Sequence, residues 1–211
     1  MTGSKKGFSL VEIMVVLVII TSLAVISGPA LSSLAKGQDI TQAGALLEQT
    51  MNQARQIAIT ENRRIEVRFF QYDSPEIPGV DEEYRSMRIV ALQDNGEAIP
   101  VSKILNLPKS IVINQSSELS PLISEVSRTK TYDGSDDPID TLPVIGQPAE
   151  TKYITFRSDG STDLDPSGGE SGKWFLTLHD NESDSTTGTA PDNWVTIQVE
   201  PLIGTVTVHR P

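Results

Sequence analysis

The sequence predicts an α+β protein: a long N-terminal α-helix, hydrophobic through its first half, packed on an antiparallel β-sheet domain. Three observations carry that prediction. Residues 8–31 are almost wholly apolar, apolar residues then recur every three or four positions to about residue 61, and beyond Asn62 the period drops to two. The chain accordingly divides into residues 1–7, 8–31, 32–62 and 63–211.

The first helical half is the apolar run. Its 24 residues include only five clearly polar ones, Ser9, Glu12, Thr21, Ser22 and Ser27. A helix of about 20 residues crosses a bilayer, whereas the apolar core of a secretory signal has about 7–15. Lys5 and Lys6 precede it and hold the N-terminus on the cytoplasmic side by the positive-inside rule. Two plain alternatives exist, an N-terminal anchor and a signal peptide cut after Ala35. Glu12 argues against both, because an ionised carboxylate in a membrane helix costs about 3 kcal/mol and benefits neither. A carboxylate kept there needs a partner, and the free amine of a neighbouring chain, exposed by cleavage after Gly7, is one.

In the second half Ile40, Ala43, Leu47, Met51, Ala54 and Ala58 fall on one helical face, with Leu46 and Ile57 beside them. Gln and Glu fill the remainder. Gly28-Pro29 and Gly37 are expected to interrupt the path, with Pro29 kinking the helix, since proline lacks an amide donor and crowds the preceding turn.

Alternation of Ile65, Val67 and Phe69 with Glu66 and Arg68 predicts a half-buried strand. Further strands are expected at residues 87–92, 110–114, 153–157, 173–179, 194–199 and 205–209, with an Asp94-Asn95-Gly96 turn after the second. Trp174, Phe175 and Trp194 are read as sheet-packing residues. Residues 71–85, 115–152, 158–172 and 180–193 are read as loops, the second of them long and partly exposed.

Composition narrows the chemistry. About 180 residues remain beyond the apolar run, enough for one core. The net charge of −11 becomes −13 without Lys5 and Lys6, which sets the chain against phosphate backbones, so nucleic acid is not expected as a partner. With no cysteine there is no disulfide. No catalytic residue is assigned: the two histidines lie at strand ends without a nucleophile, and no enzyme is expected. Asp159, Asp163, Asp165 and Glu170, and separately Asp180, Glu182 and Asp184, supply oxygens but not the EF-hand order, so no metal site and no cofactor are assigned.

Gly7-Phe8-Ser9-Leu10-Val11-Glu12 resembles the processing site of type IV pilins and type II secretion pseudopilins. The resemblance implies that residues 1–7 are a leader, that prepilin peptidase cleaves between Gly7 and Phe8, and that Phe8 is then N-methylated. It also implies that Glu12, as fifth mature residue, serves assembly with other pilin or pseudopilin subunits, and that Pro29 stands at the family's helix kink. Residues 153–161 and the closing pair 195–199 and 204–208 resemble H-type (GspH/FimT-like) minor pseudopilins. Gln53-Ala54-Arg55-Gln56, Asn62-Arg63, residues 66–69, Asp159-Gly160-Ser161-Thr162-Asp163 and residues 174–180 resemble the D proteins of the Verru_Chthon cassette, a multi-gene set of prepilin-like chains.

The expected function is therefore that of a minor structural subunit of a secretion pseudopilus or type IV pilus-like filament. The chain would rest first in the inner membrane as a single-pass protein, its C-terminal domain periplasmic. The alternative is a filament-tip or surface module that recognises a partner protein, a secreted substrate or DNA through its β-domain loops.

Overall fold

The computed structural model describes residues 7, 9–72, 82–93, 98–124, 129–132, 149–168, 173–182, 189 and 191–211, with backbone alone at 24, 26–35 and 129–132. Helix α1 (Leu10–Thr60) comes first, and the chain divides into two units, Met1–Gln38 and Asp39–Pro211. The helix assignment is unbroken through Gly28, Pro29 and Gly37, so the expected interruption does not end the helix. Pro29 removes one amide from the ladder, and its neighbours carry the helix past that single missing bond.

In the second unit the predicted stripe forms the seam of the core: Ile40, Ala43, Leu47, Met51, Ala54 and Ala58 are all fully buried. Gly44 lies on the same face, and a Cβ there would sit 2.9 Å from Val195 Cγ1, which sets how closely helix and sheet approach. The helix ends because Asn62 turns left-handed (φ 51°) and the Arg63 amide reaches back to the Ala58 carbonyl at 3.2 Å. This is the Schellman arrangement, with asparagine supplying the positive φ.

The sheet contains β1 (Ile65–Tyr72), β2 (Glu83–Leu92), β3 (Ala98–Pro100), β4 (Leu105–Asn106), β5 (Ile111–Ile113), β6 (Thr129–Tyr132), β7 (Ala149–Phe156), β8 (Trp174–Asp180), β9 (Trp194–Val199) and β10 (Val206–His209). Its order is β10-β9-β8-β5-β2-β1-β7-β6, with β3 and β4 also on β2, and every pairing is antiparallel. Residues 94–97, where the Asp94-Asn95-Gly96 turn was expected, lie outside the described residues.

Two expectations are corrected. Residues 115–152 are not one loop: they hold a one-turn helix α2 (Pro121–Ser124), strand β6 and the start of β7. Nor is β1 half-buried. Glu66 and Arg68 are only 6% and 4% exposed, so this interior strand is buried on both faces. Their burial is tolerable because Arg68 Nε donates to Glu66 Oε2 at 2.7 Å. Trp174 is buried as expected, its indole N–H donating to the Asp165 carbonyl at 2.7 Å, while Phe175 and Trp194 are partly buried.

Candidate functional site: the N-terminal segment and the loops above the helix end

The N-terminal segment is exposed from its first described residue. Gly7 has open space around its Cα, and a Cβ there would meet nothing within 4 Å. Phe8 lies outside the described residues. The Ser9 carbonyl accepts the Ile13 amide at 3.2 Å, which makes Ser9 the cap residue and Glu12 the third residue of the first turn. Ser-x-x-Glu at those positions is the capping-box pattern, a signal that lies in the sequence and that the motif reading passed over. A carboxylate in the first turn also faces the positive end of the helix dipole.

On either side of Glu12 the helix exposes large apolar side chains in every direction. Leu10, Val11, Ile13 to Ile20, Leu23 and Val25 each leave about half or more of their surface uncovered. A helix that is apolar all round and uncovered requires lipid or other subunits around it. Among the described residues no helical stretch is both long and apolar enough to cross a membrane. The two hydroxyl residues between Leu10 and Leu23, Thr21 and Ser22, are satisfied locally. Thr21 Oγ1 donates to the Leu17 and Val18 carbonyls at 2.9 and 3.0 Å, and Ser22 Oγ to Val18 at 2.7 Å. Glu12 is the sole charged residue between Lys6 and Lys36.

At the other end of α1, segments far apart in sequence converge. Arg55 Nε donates to the Ile203 carbonyl at 2.8 Å and lies 3.3 Å from that of Gly160. The Thr162 amide donates to the Pro201 carbonyl at 2.8 Å, joining the two loops directly. Gly204 has φ 63°, and a Cβ there would land on the Gly160 carbonyl oxygen, so glycine is required. The Arg55, Asp159-Gly160 and closing-hairpin segments are therefore one structural joint. It holds Leu202 and Ile203 outward at 64% and 56% exposure.

The acidic loops use their carboxylates on themselves. Asp159 Oδ1 accepts the Ser161 hydroxyl and amide at 2.6 and 2.9 Å, and Asp165 Oδ1 accepts those of Ser167 at 2.7 and 2.8 Å. These hydroxyl and amide bonds hold both carboxyl groups below the usual aspartate range. Asp163 Oδ1 accepts the Thr155 amide at 3.0 Å, and Asp180 Oδ1 the Glu182 amide at 2.9 Å. Among the described residues no three acidic or histidine side chains are grouped to hold a metal ion. Glu170 and Asp184 lie outside them.

Residues 3–28 match the family described as the prokaryotic N-terminal methylation motif. The chain is similar in structure to the minor pseudopilin EpsH from the type 2 secretion system of Vibrio cholerae, at 10% identity and TM-score 0.42, over 82% of this chain and 98% of that one. It is likewise similar to the type IV minor pilin FimU of Pseudomonas aeruginosa, at 12% identity and TM-score 0.43, over 82% and 93%. No curated protein matches it.

Proposed function

We propose that this chain is a pilin-like structural subunit. It enters the cytoplasmic membrane with Lys5 and Lys6 inside and its β-domain outside. Prepilin peptidase cuts after Gly7, Phe8 is N-methylated, and the helix of residues 8–31 is lifted into a type II secretion pseudopilus or type IV pilus-like filament. The chain serves there as a minor subunit, next to other pilins or pseudopilins. One observation carries this reading: within the methylation-motif match, a helix exposed and apolar on all sides bears a single carboxylate, placed in its first turn.

The carboxylate is at the right end for the task. Leaving lipid for a filament core, it meets the amine of an adjacent Phe8, and pairing offsets the desolvation of both charges. Pro29 then acts as the kink that lets neighbouring helices fit. No step in this scheme asks the β-domain for catalysis. The test is to shear surface filaments from the native host and probe them for this chain, with and without prepilin peptidase. Peptidase-dependent recovery supports the proposal. Recovery of the chain only from the membrane of wild-type cells contradicts it, and salt-sensitive DNA binding by the chain would favour a binding module instead.

A further inference from the structure

His179 lies in β8 opposite Val112 of β5 and Trp194 of β9, and is only 3% exposed. One ring nitrogen, Nε2, is 3.2 Å from Asn114 Nδ2, and the other, Nδ1, is 2.8 Å from the Asp180 carbonyl. The Asn114 amide has a defined orientation, because its Oδ1 accepts both the Ser116 amide at 2.8 Å and the Ser116 hydroxyl at 2.7 Å. The nitrogen facing His179 is therefore an NH2, which can only donate. It follows that Nε2 is the acceptor and that the proton resides on Nδ1, donating to Asp180. A proton added at Nε2 would set donor against donor in a buried site, leaving one or both unsatisfied.

Asn114 is also the root of the segment that follows. Its backbone N–H donates to the Thr177 carbonyl at 2.8 Å, and the Ser116 carbonyl accepts the Ser120 amide at 2.8 Å. Ser120 Oγ accepts the Thr177 amide at 3.0 Å. Next comes α2, whose Leu122 and Ile123 are each 2% exposed and belong to the main core. Strands β5 and β9 and helix α2 bring no ionisable side chain to the histidine. The charged group that acts on it is Asp180, the next residue on its own strand.

We propose that the His179–Asn114 bond is a proton-operated latch: the neutral ring holds residues 114–124 on the sheet, and protonation at Nε2 releases them and uncovers Leu122 and Ile123. Burial depresses the His179 pKa, outweighing the opposing Asp180 carbonyl bond and carboxylate. The latched state thus binds fewer protons than the released one. Latch stability is complete above the free-imidazole value of about 6.5 and falls as pH drops from there through the depressed value.

Hydrogen exchange on the full chain in detergent micelles at pH 7.5 and 5.0, corrected for intrinsic exchange, tests the latch. The amides of Ile123, Ser124 and Thr177 should lose protection at pH 5.0 relative to pH 7.5, while those of β1 keep theirs. Asn114→Asp should reverse the sign, because a carboxylate accepts from the imidazolium and still accepts from Ser116. Unchanged protection at pH 5.0, a loss spread equally over β1, or the same acid response in the variant would overturn the proposal. Nitrogen NMR of the His179 ring gives an independent reading should the variant not fold. A protonated Nδ1 at pH 7.5 is expected, and a protonated Nε2 would be fatal to the latch.

Discussion

Replacing Glu12 separates two roles that its position permits. As a first-turn residue in a Ser-x-x-Glu capping pattern it stabilises the helix start by about 0.3–1 kcal/mol. As one half of a buried charge pair it contributes more, since removing one partner of such a pair costs about 3–5 kcal/mol. At 1.4 kcal/mol per factor of ten, the first role predicts a loss of about two- to fivefold in assembly and the second roughly two to three and a half orders of magnitude. Glu12→Gln distinguishes them, because glutamine fits the capping pattern but carries no charge. Lowering the charge also eases membrane insertion by up to about 3 kcal/mol, so the variant should remain abundant in the membrane. The assay is the ratio of filament-bound to membrane-bound chain in sheared native cells, with leader removal followed on the same samples. The account predicts normal cleavage, an intact membrane pool and near-total absence from filaments. Incorporation of Glu12→Gln within a fewfold of wild type would refute the charge-pair argument.

Further consequences concern processing and the fold. Gly7→Ala should leave the uncleaved precursor as the main product on an immunoblot, because the proposed cleavage follows that residue; a normally shortened band would contradict it. Met51→Ala removes a fully buried side chain from the helix seam and should destabilise the β-domain by about 2–5 kcal/mol in urea unfolding. Gly204→Ala should destabilise by at least about 1–2 kcal/mol from left-handed strain alone, with the clash against Gly160 added. A neutral Gly204→Ala would show that the joint around Arg55 is not closed in solution.

Much of this architecture was legible in the sequence because it is periodic. The stripe Ile40, Ala43, Leu47, Met51, Ala54 and Ala58 repeats on the helical period, and every member is fully buried. Strands β8, β9 and β10 fall within a residue or two of their expected limits because turn residues bound them. The misses are short or non-local. β3, β4, β6 and α2 span two to four residues each, too few to show any period. Glu66 and Arg68 alternate with apolar neighbours as a solvent face would, and the bond between them, which makes burial tolerable, leaves no mark in the alternation. Of the candidate site, the proposed cleavage motif with Glu12 is contained in six consecutive residues, within the 3–28 methylation-motif match. The contact of Arg55 with Ile203 spans 148 positions, and the His179–Asn114 bond spans 65. No local pattern announces either one.

The most direct test of the central claim is the intact mass and N-terminal sequence of the chain purified from its own host. A mature protein that begins at N-methylated Phe8 is the predicted result. A chain that begins at Met1 or Thr2 would contradict it and leave a membrane-anchored β-domain, and one that begins near Lys36 would contradict it as a secreted protein.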